Sequence, residues 1–206
     1  MIAVMLLYVG AVLVLNGVWI LGSALAETAQ RRVQAQATSG ATGPGVAGAS
    51  YLALGNREVG VMNLFVGVLG FLLAMFAVVR VGPTNIGAAE FEFGAFVLLF
   101  AFTYLYVGIN QFLNADGRAL GWYCLFVAIT AVPTAIITLL TSRGHAWPVW
   151  LGADWAAWAV LWFLFWVLLA LQRPIARLVG TVTVFVAVTT CWIPAYLLLT
   201  GYLPGS

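Results

Sequence analysis

Apolar residues in this chain neither alternate with polar ones nor recur at every third or fourth place. They run on in six tracts, residues 3 to 22, 60 to 79, 91 to 113, 121 to 141, 155 to 171 and 180 to 200. Each holds about 17 to 25 residues, the length an α-helix needs to cross roughly 30 Å of hydrocarbon. A membrane β-barrel would instead show alternating segments of about ten residues, and at least about eight of them. The pattern predicts an all-α, polytopic membrane protein of six transmembrane helices, a single domain over residues 1–206. The first tract sits where a signal peptide would, but it lacks a basic start and carries Asn16 in its apolar core, so it reads as a retained helix.

The polar positions lie between the tracts. The longest connection, 23 to 59, begins with an Ala- and Gln-rich stretch (24 to 37) able to extend the first helix, and continues into the breaker-rich TSGATGPG at 38 to 45. It reads as a flexible cytoplasmic loop. The first, third and fifth connections hold Arg31, Arg32, Arg57, Arg118, Arg173 and Arg177, against only Arg80 and Arg143 in the second and fourth. Basic residues favour the cytoplasmic side, so both termini are expected outside the cytoplasmic membrane.

Composition agrees, with 64% hydrophobic residues, 7% charged and a mean hydropathy of +1.08. A net charge of +2, scattered, offers no nucleic-acid surface. Cys124 and Cys191 fall inside predicted helices and suit small apolar positions better than a disulfide or a metal pair. His145 stands alone in the fourth connection, either an ordinary surface residue or a gating group. No phosphate loop, dinucleotide fingerprint, HExxH or nucleophile elbow is present, so no enzyme chemistry, cofactor or metal is expected.

Within the tracts the informative residues are the exceptions. An amide in hydrocarbon costs a few kcal/mol, roughly, unless it finds partners. At about 100° per residue, Leu6, Val9, Leu13 and Asn16 share an arc of about 80°, which puts that amide on one stripe. Phe102, Tyr106 and Asn110 follow one side of the third helix. Trp158, Trp162 and Trp166 follow one side of the fifth, just after Asp154 and Trp155, and Trp155 reads as an interfacial anchor. Either the indoles simply pack, against lipid or core, or they join Asn and Tyr groups in an amphipathic lining suited to a small neutral molecule. Asn16 then either offers its amide to that molecule or fastens helices 1 and 3. Glu90 and Glu92 read as a solvated start to helix 3, and no carboxylate or histidine is expected deep in the bundle.

Echoes add an organisation. LLYVG (6 to 10) resembles YLYVG (104 to 108); MNLFVG (62 to 67) and AVPTAI (131 to 136) match YCLFVA (123 to 128) and WIPAYL (192 to 197) at a common offset of 61 residues. Helices 2, 4 and 6 then have like roles, as in three two-helix hairpins. Pro133 and Pro194 occupy matching places and should bend their helices, while Gly10, Gly17, Gly67, Gly70 and Gly108 permit close approach.

Taken together, LLYVGAVLVLNG, MNLFVG, FTYLYVGIN, WYCLFVAITAVP, DWAAW and CWIPAYLLL resemble the AmiS/UreI family of amidase-linked amide transporters and acid-activated urea channels. The resemblance implies an inner-membrane channel for urea or short aliphatic amides, assembled as a homohexamer with lipid at the ring centre. Carried over, the pore lining becomes Leu6, Val9, Leu13 and Asn16 with Phe102 and Tyr106, joined by the Trp158, Trp162 and Trp166 stripe. Two departures matter. The connection RVGPTNIGAA (80 to 89) is short and lacks the histidines of the acid-sensing loop, and Val186 stands near the place of a glutamate in the last helix. Both point away from acid gating, towards the amide branch and a constitutive conduit serving an intracellular amidase. A nonconducting scaffold or receptor subunit, or an ion-coupled transporter, is the competing expectation.

Overall fold

In the computed structural model, which describes residues 1–39, 52–80 and 88–203, six helices are long and apolar enough to cross a membrane. They are α1 (Ile2–Ser39), α2 (Asn56–Arg80), α3 (Ala88–Leu113), α4 (Arg118–Thr141), α5 (Ala146–Leu169) and a sixth built from α6 (Ala176–Val186), a π-helical turn (Ala187–Trp192) and α7 (Ile193–Leu199). Two boundaries differ from the apolar tracts by well over a turn. α1 continues through the Ala/Gln-rich stretch to Ser39, so that part of the expected loop is helical. α5 begins at Ala146, because Pro148 is tolerated in a first turn where no intrahelical donor is needed. Most of TSGATGPG and of RVGPTNIGAA lies outside the described residues.

The helices pack most extensively as α2 with α3, α4 with α5, and α1 with the sixth helix. This is the three-hairpin arrangement, in which helices 2, 4 and 6 each open a pair and the third pair joins the two ends of the chain. Small residues set the spacing. A Cβ on Gly67 would lie 2.8 Å from the Leu105 backbone nitrogen, and one on Gly108 would lie 3.0 Å from the Gly60 carbonyl oxygen. A Cβ on Gly17 would stand 2.9 Å from the Gly180 carbonyl oxygen, and one on Gly10 would stand 3.1 Å from the Trp192 nitrogen. With no hydrophobic force to drive helices together in lipid, such close backbone approach is the main source of packing energy.

The two matching prolines behave differently. Pro133 sits inside an unbroken α4. Pro194 lies one residue beyond the π turn, whose closing bond runs from the Ile193 N–H to the Val188 carbonyl five residues back. Proline has no N–H to give the residue four before it, Thr190, and its ring would crowd that carbonyl. The wider turn relieves the conflict.

Candidate functional site

Two cavities enter the bundle from opposite ends and meet at Phe100 and Trp158, which wall both. The larger, about 450 Å³, opens between the Trp19–Glu27 stretch of α1, Asn110 and Gln111 on α3, and the end of α5 near Gln172. The smaller, about 290 Å³, opens beside Ile2, Glu92 and Thr138. Arg57, Arg118, Arg173 and Arg177 each adjoin a residue that lines the larger cavity, namely Asn56, Gly117, Gln172 and Ala176. Leu6 and Val9 line the smaller cavity, while Leu13 and Asn16 line the larger, so the α1 stripe spans the junction.

The junction is aromatic. The Phe100 ring meets Trp158 at 4.9 Å and Trp162 at 4.8 Å, both edge to face, and Trp155 at 5.8 Å. Trp155 in turn contacts Trp158 at 5.1 Å and Phe96 at 5.0 Å. This edge-to-face geometry sets the positive rim of one ring against the negative face of the next and makes a stiff wall. Opposite stand Met5, Leu6, Val9 and Leu13. Among the described residues, Glu27, Glu92 and Asp116 line only the cavity mouths, and no carboxylate, histidine or arginine lines the neck. A charged solute there would lose its water without compensation.

Asn16 has a partner, on α2 rather than α3. Its Nδ2 donates to Asn63 Oδ1 at 3.0 Å, and Asn63 Nδ2 donates to Asn16 Oδ1 at 2.7 Å and to the Val59 carbonyl at 2.8 Å. Asn63 is fully buried, whereas Asn16 is 6% exposed and borders the larger cavity. An amide has two N–H donors and two carbonyl lone pairs. Asn16 uses one of each on Asn63, leaving one N–H and one lone pair beside the cavity. Fastening and recognition are therefore compatible. Thr103 and Asn110 on α3 border the same cavity.

Three other expected lining residues lie elsewhere. Phe102 is 44% exposed and rests on Phe71 at 6.3 Å, outside both cavities. Tyr106 is half-buried against the core and also borders neither. The cavity side of α3 is instead Phe100, Thr103, Tyr104, Val107, Asn110 and Gln111. Trp166 packs on Trp122 and Phe163 at 5.9 and 5.3 Å, and its indole nitrogen has no hydrogen-bond partner among the described residues. The tryptophans at the junction are Trp155, Trp158 and Trp162, so Trp155 is a wall and not an interfacial anchor.

Charge, too, enters the bundle, contrary to the sequence expectation. Asp154 is 1% exposed, two turns into α5, and its Oδ2 has no hydrogen-bond partner among the described residues. It borders neither cavity but a shallow lateral cleft with Trp150, Thr189 and Thr190. A carboxylate does therefore stand inside the bundle. His145 is exposed at the start of α5, and Cys124 and Cys191 are buried free thiols.

Residues 46–202 match the AmiS/UreI family of transporters. A Mycolicibacterium smegmatis protein that carries the name amidate substrates transporter is 33% identical over 95% of this chain and 75% of its own length. The acid-activated urea channel of Helicobacter pylori is 30% identical over 69% of this chain and 84% of its own. The closed-state structure of the Helicobacter pylori urea channel superposes with a TM-score of 0.76 at 28% identity, covering 98% of this chain and 99% of that one. Family, fold and a helix bundle hollowed from both ends agree: the chain belongs to the AmiS/UreI family of transporters, not of catalysts.

Proposed function

We propose that this protein is a passive channel for urea or short-chain aliphatic amides across the cytoplasmic membrane, supplying an intracellular amidase. The observation that carries the reading is the pair of opposed cavities separated by one uncharged neck at Phe100 and Trp158. A neutral solute passes such a neck by exchanging some water contacts for aromatic faces. The free N–H and lone pair of Asn16 replace one donor and one acceptor as the solute reaches the larger cavity. Weak binding suits conduction, because a solute held by many kcal/mol would leave slowly. The proposal includes termini on the outer side, in line with the arginine distribution, a cytoplasmic placement of the connection between the first two spans, and a ring of six around lipid. Exposed apolar side chains such as Phe65, Leu72, Ile137 and Phe185 supply faces for lipid and neighbouring subunits.

One observation favours a second reading. The buried Asp154 is the kind of group an ion-coupled transporter requires. Reconstituted vesicles separate the two: urea and acetamide should enter without any ion gradient, and Asp154→Asn should leave that entry in place. Flux equal to empty vesicles would sink both readings and favour a scaffold, while flux that needs a proton or sodium gradient would establish coupling. A strong rise at acid pH would overturn the constitutive character.

A further inference from the structure

We infer that Thr190 is a positioning residue for the neck: its hydroxyl holds the Trp158 indole across the path between the cavities and thereby sets which solutes pass. The inference rests on the channel reading and extends it to selectivity. Trp158 is the one tryptophan that walls both cavities. Its Nε1 donates to Thr190 Oγ1 at 2.9 Å, and both side chains are buried. The Thr190 hydroxyl is itself committed, since it donates to the Val186 carbonyl at 2.7 Å. With its proton spent there, the oxygen presents only lone pairs to the indole. The bond therefore has one polarity and one geometry, and a rotation of the indole about its side-chain bonds would break it.

The backbone places this hydroxyl. Thr190 lies in the π turn that Pro194 induces, and a π turn rotates the side chains on either side of it relative to a continuous α-helix. Gly10 lets α1 close over the same turn, since a Cβ there would stand only 3.1 to 3.4 Å from Trp192, Cys191 and Ala187 atoms. Thr190 thus stands on a supported element between the lateral cleft and the neck.

The test uses the full-length protein in vesicles and the ratio of butyramide to urea entry. Thr190→Val keeps the shape and removes the acceptor; the freed indole should admit the longer amide, raising the ratio about three- to tenfold, the scale of one lost buried hydrogen bond. Thr190→Ser retains the hydroxyl and should keep the wild-type ratio. Trp158→Phe lacks the N–H, so Thr190→Val added to it should change nothing further. A ratio unmoved by Thr190→Val, an equal shift from Thr190→Ser, or additivity with Trp158→Phe would each overturn the proposal. Wild-type protein that passes no solute would sink the channel reading itself. An indole N–H resonance of Trp158 unmoved by Thr190→Val in ¹⁵N-tryptophan protein would sink the positioning role whatever the flux.

Discussion

Replacing Asn63 with leucine removes one half of the amide pair that joins α1 to α2. Three hydrogen bonds end on Asn63, at 2.7, 2.8 and 3.0 Å. The bond to Val59 lies within α2, and that carbonyl keeps its helical partner, so its loss is minor. The two bonds to Asn16 cross between helices. Such bonds contribute about 0.6 kcal/mol each on average in membrane proteins and about 0.5–1.5 kcal/mol in soluble ones. Their sum is about 1–3 kcal/mol. Because Asn16 borders a cavity that can hold water, its orphaned amide is partly compensated, and a loss of about 1–2 kcal/mol is expected for Asn63→Leu. The double variant Asn16→Leu/Asn63→Leu leaves no orphan and should cost less than the two single losses added together. Reversible unfolding in bicelles of the four proteins measures this coupling. If the double loss equals the sum to within about 0.5 kcal/mol, the pair is not coupled and the reasoning fails. Flux adds the functional half: Asn16→Leu should slow urea entry more than Asn63→Leu, since only Asn16 borders the cavity. Equal slowing would mean that the pair only fastens helices.

Close helix approach predicts a contrast between glycines. Gly67→Ala puts a methyl 2.8 Å from the Leu105 backbone nitrogen, so a loss of about 1–3 kcal/mol is expected in thermal unfolding. Gly144→Ala meets nothing within 4 Å but sits at φ +78°, so its loss should be about 1–2 kcal/mol and leave α4–α5 packing unchanged. Asp154→Asn exchanges a buried carboxylate with an unpartnered oxygen for a neutral amide, and its melting temperature should equal or exceed the wild type; a marked fall would reveal a partner in the assembled oligomer. Pro194→Ala gives Thr190 back a helical N–H partner and lets the π turn relax, so the butyramide to urea ratio should move in the direction set by Thr190→Val.

The membrane fold is legible because length and continuous apolar character suffice for it, and the 61-residue offset marks α2, α4 and the sixth helix as the openers of the three pairs. The α1 stripe is equally plain, since all four of its residues reach a cavity wall. The fifth helix is harder. A hydropathy tract stops at a charge, whereas a helix does not, so the tract bounded by Asp154 places Trp155 at the interface. Counted at about 100° per residue, Trp155 projects between Trp162 and Trp166, so the stripe itself contains the signal. The third helix is apolar on every side, and periodicity cannot choose a face when lipid and core ask for the same residues. There the useful mark is polar: Thr103, Asn110 and Gln111 lie with Phe100 on the cavity side, opposite Phe102. Asn63 stands within MNLFVG, but one amide gives no sign that it pairs with another 47 residues away.

The central claim is that solute passes the Phe100 face of α3. In a background with Cys124 and Cys191 replaced by alanine, a single cysteine at position 100 or 102 is treated with a small neutral thiol reagent, and urea entry into vesicles is followed before and after. The account predicts that modification of Phe100→Cys blocks entry, while modification of Phe102→Cys, on the outer surface, leaves it unchanged. Entry that survives full modification at position 100, or stops on modification at position 102, would contradict it.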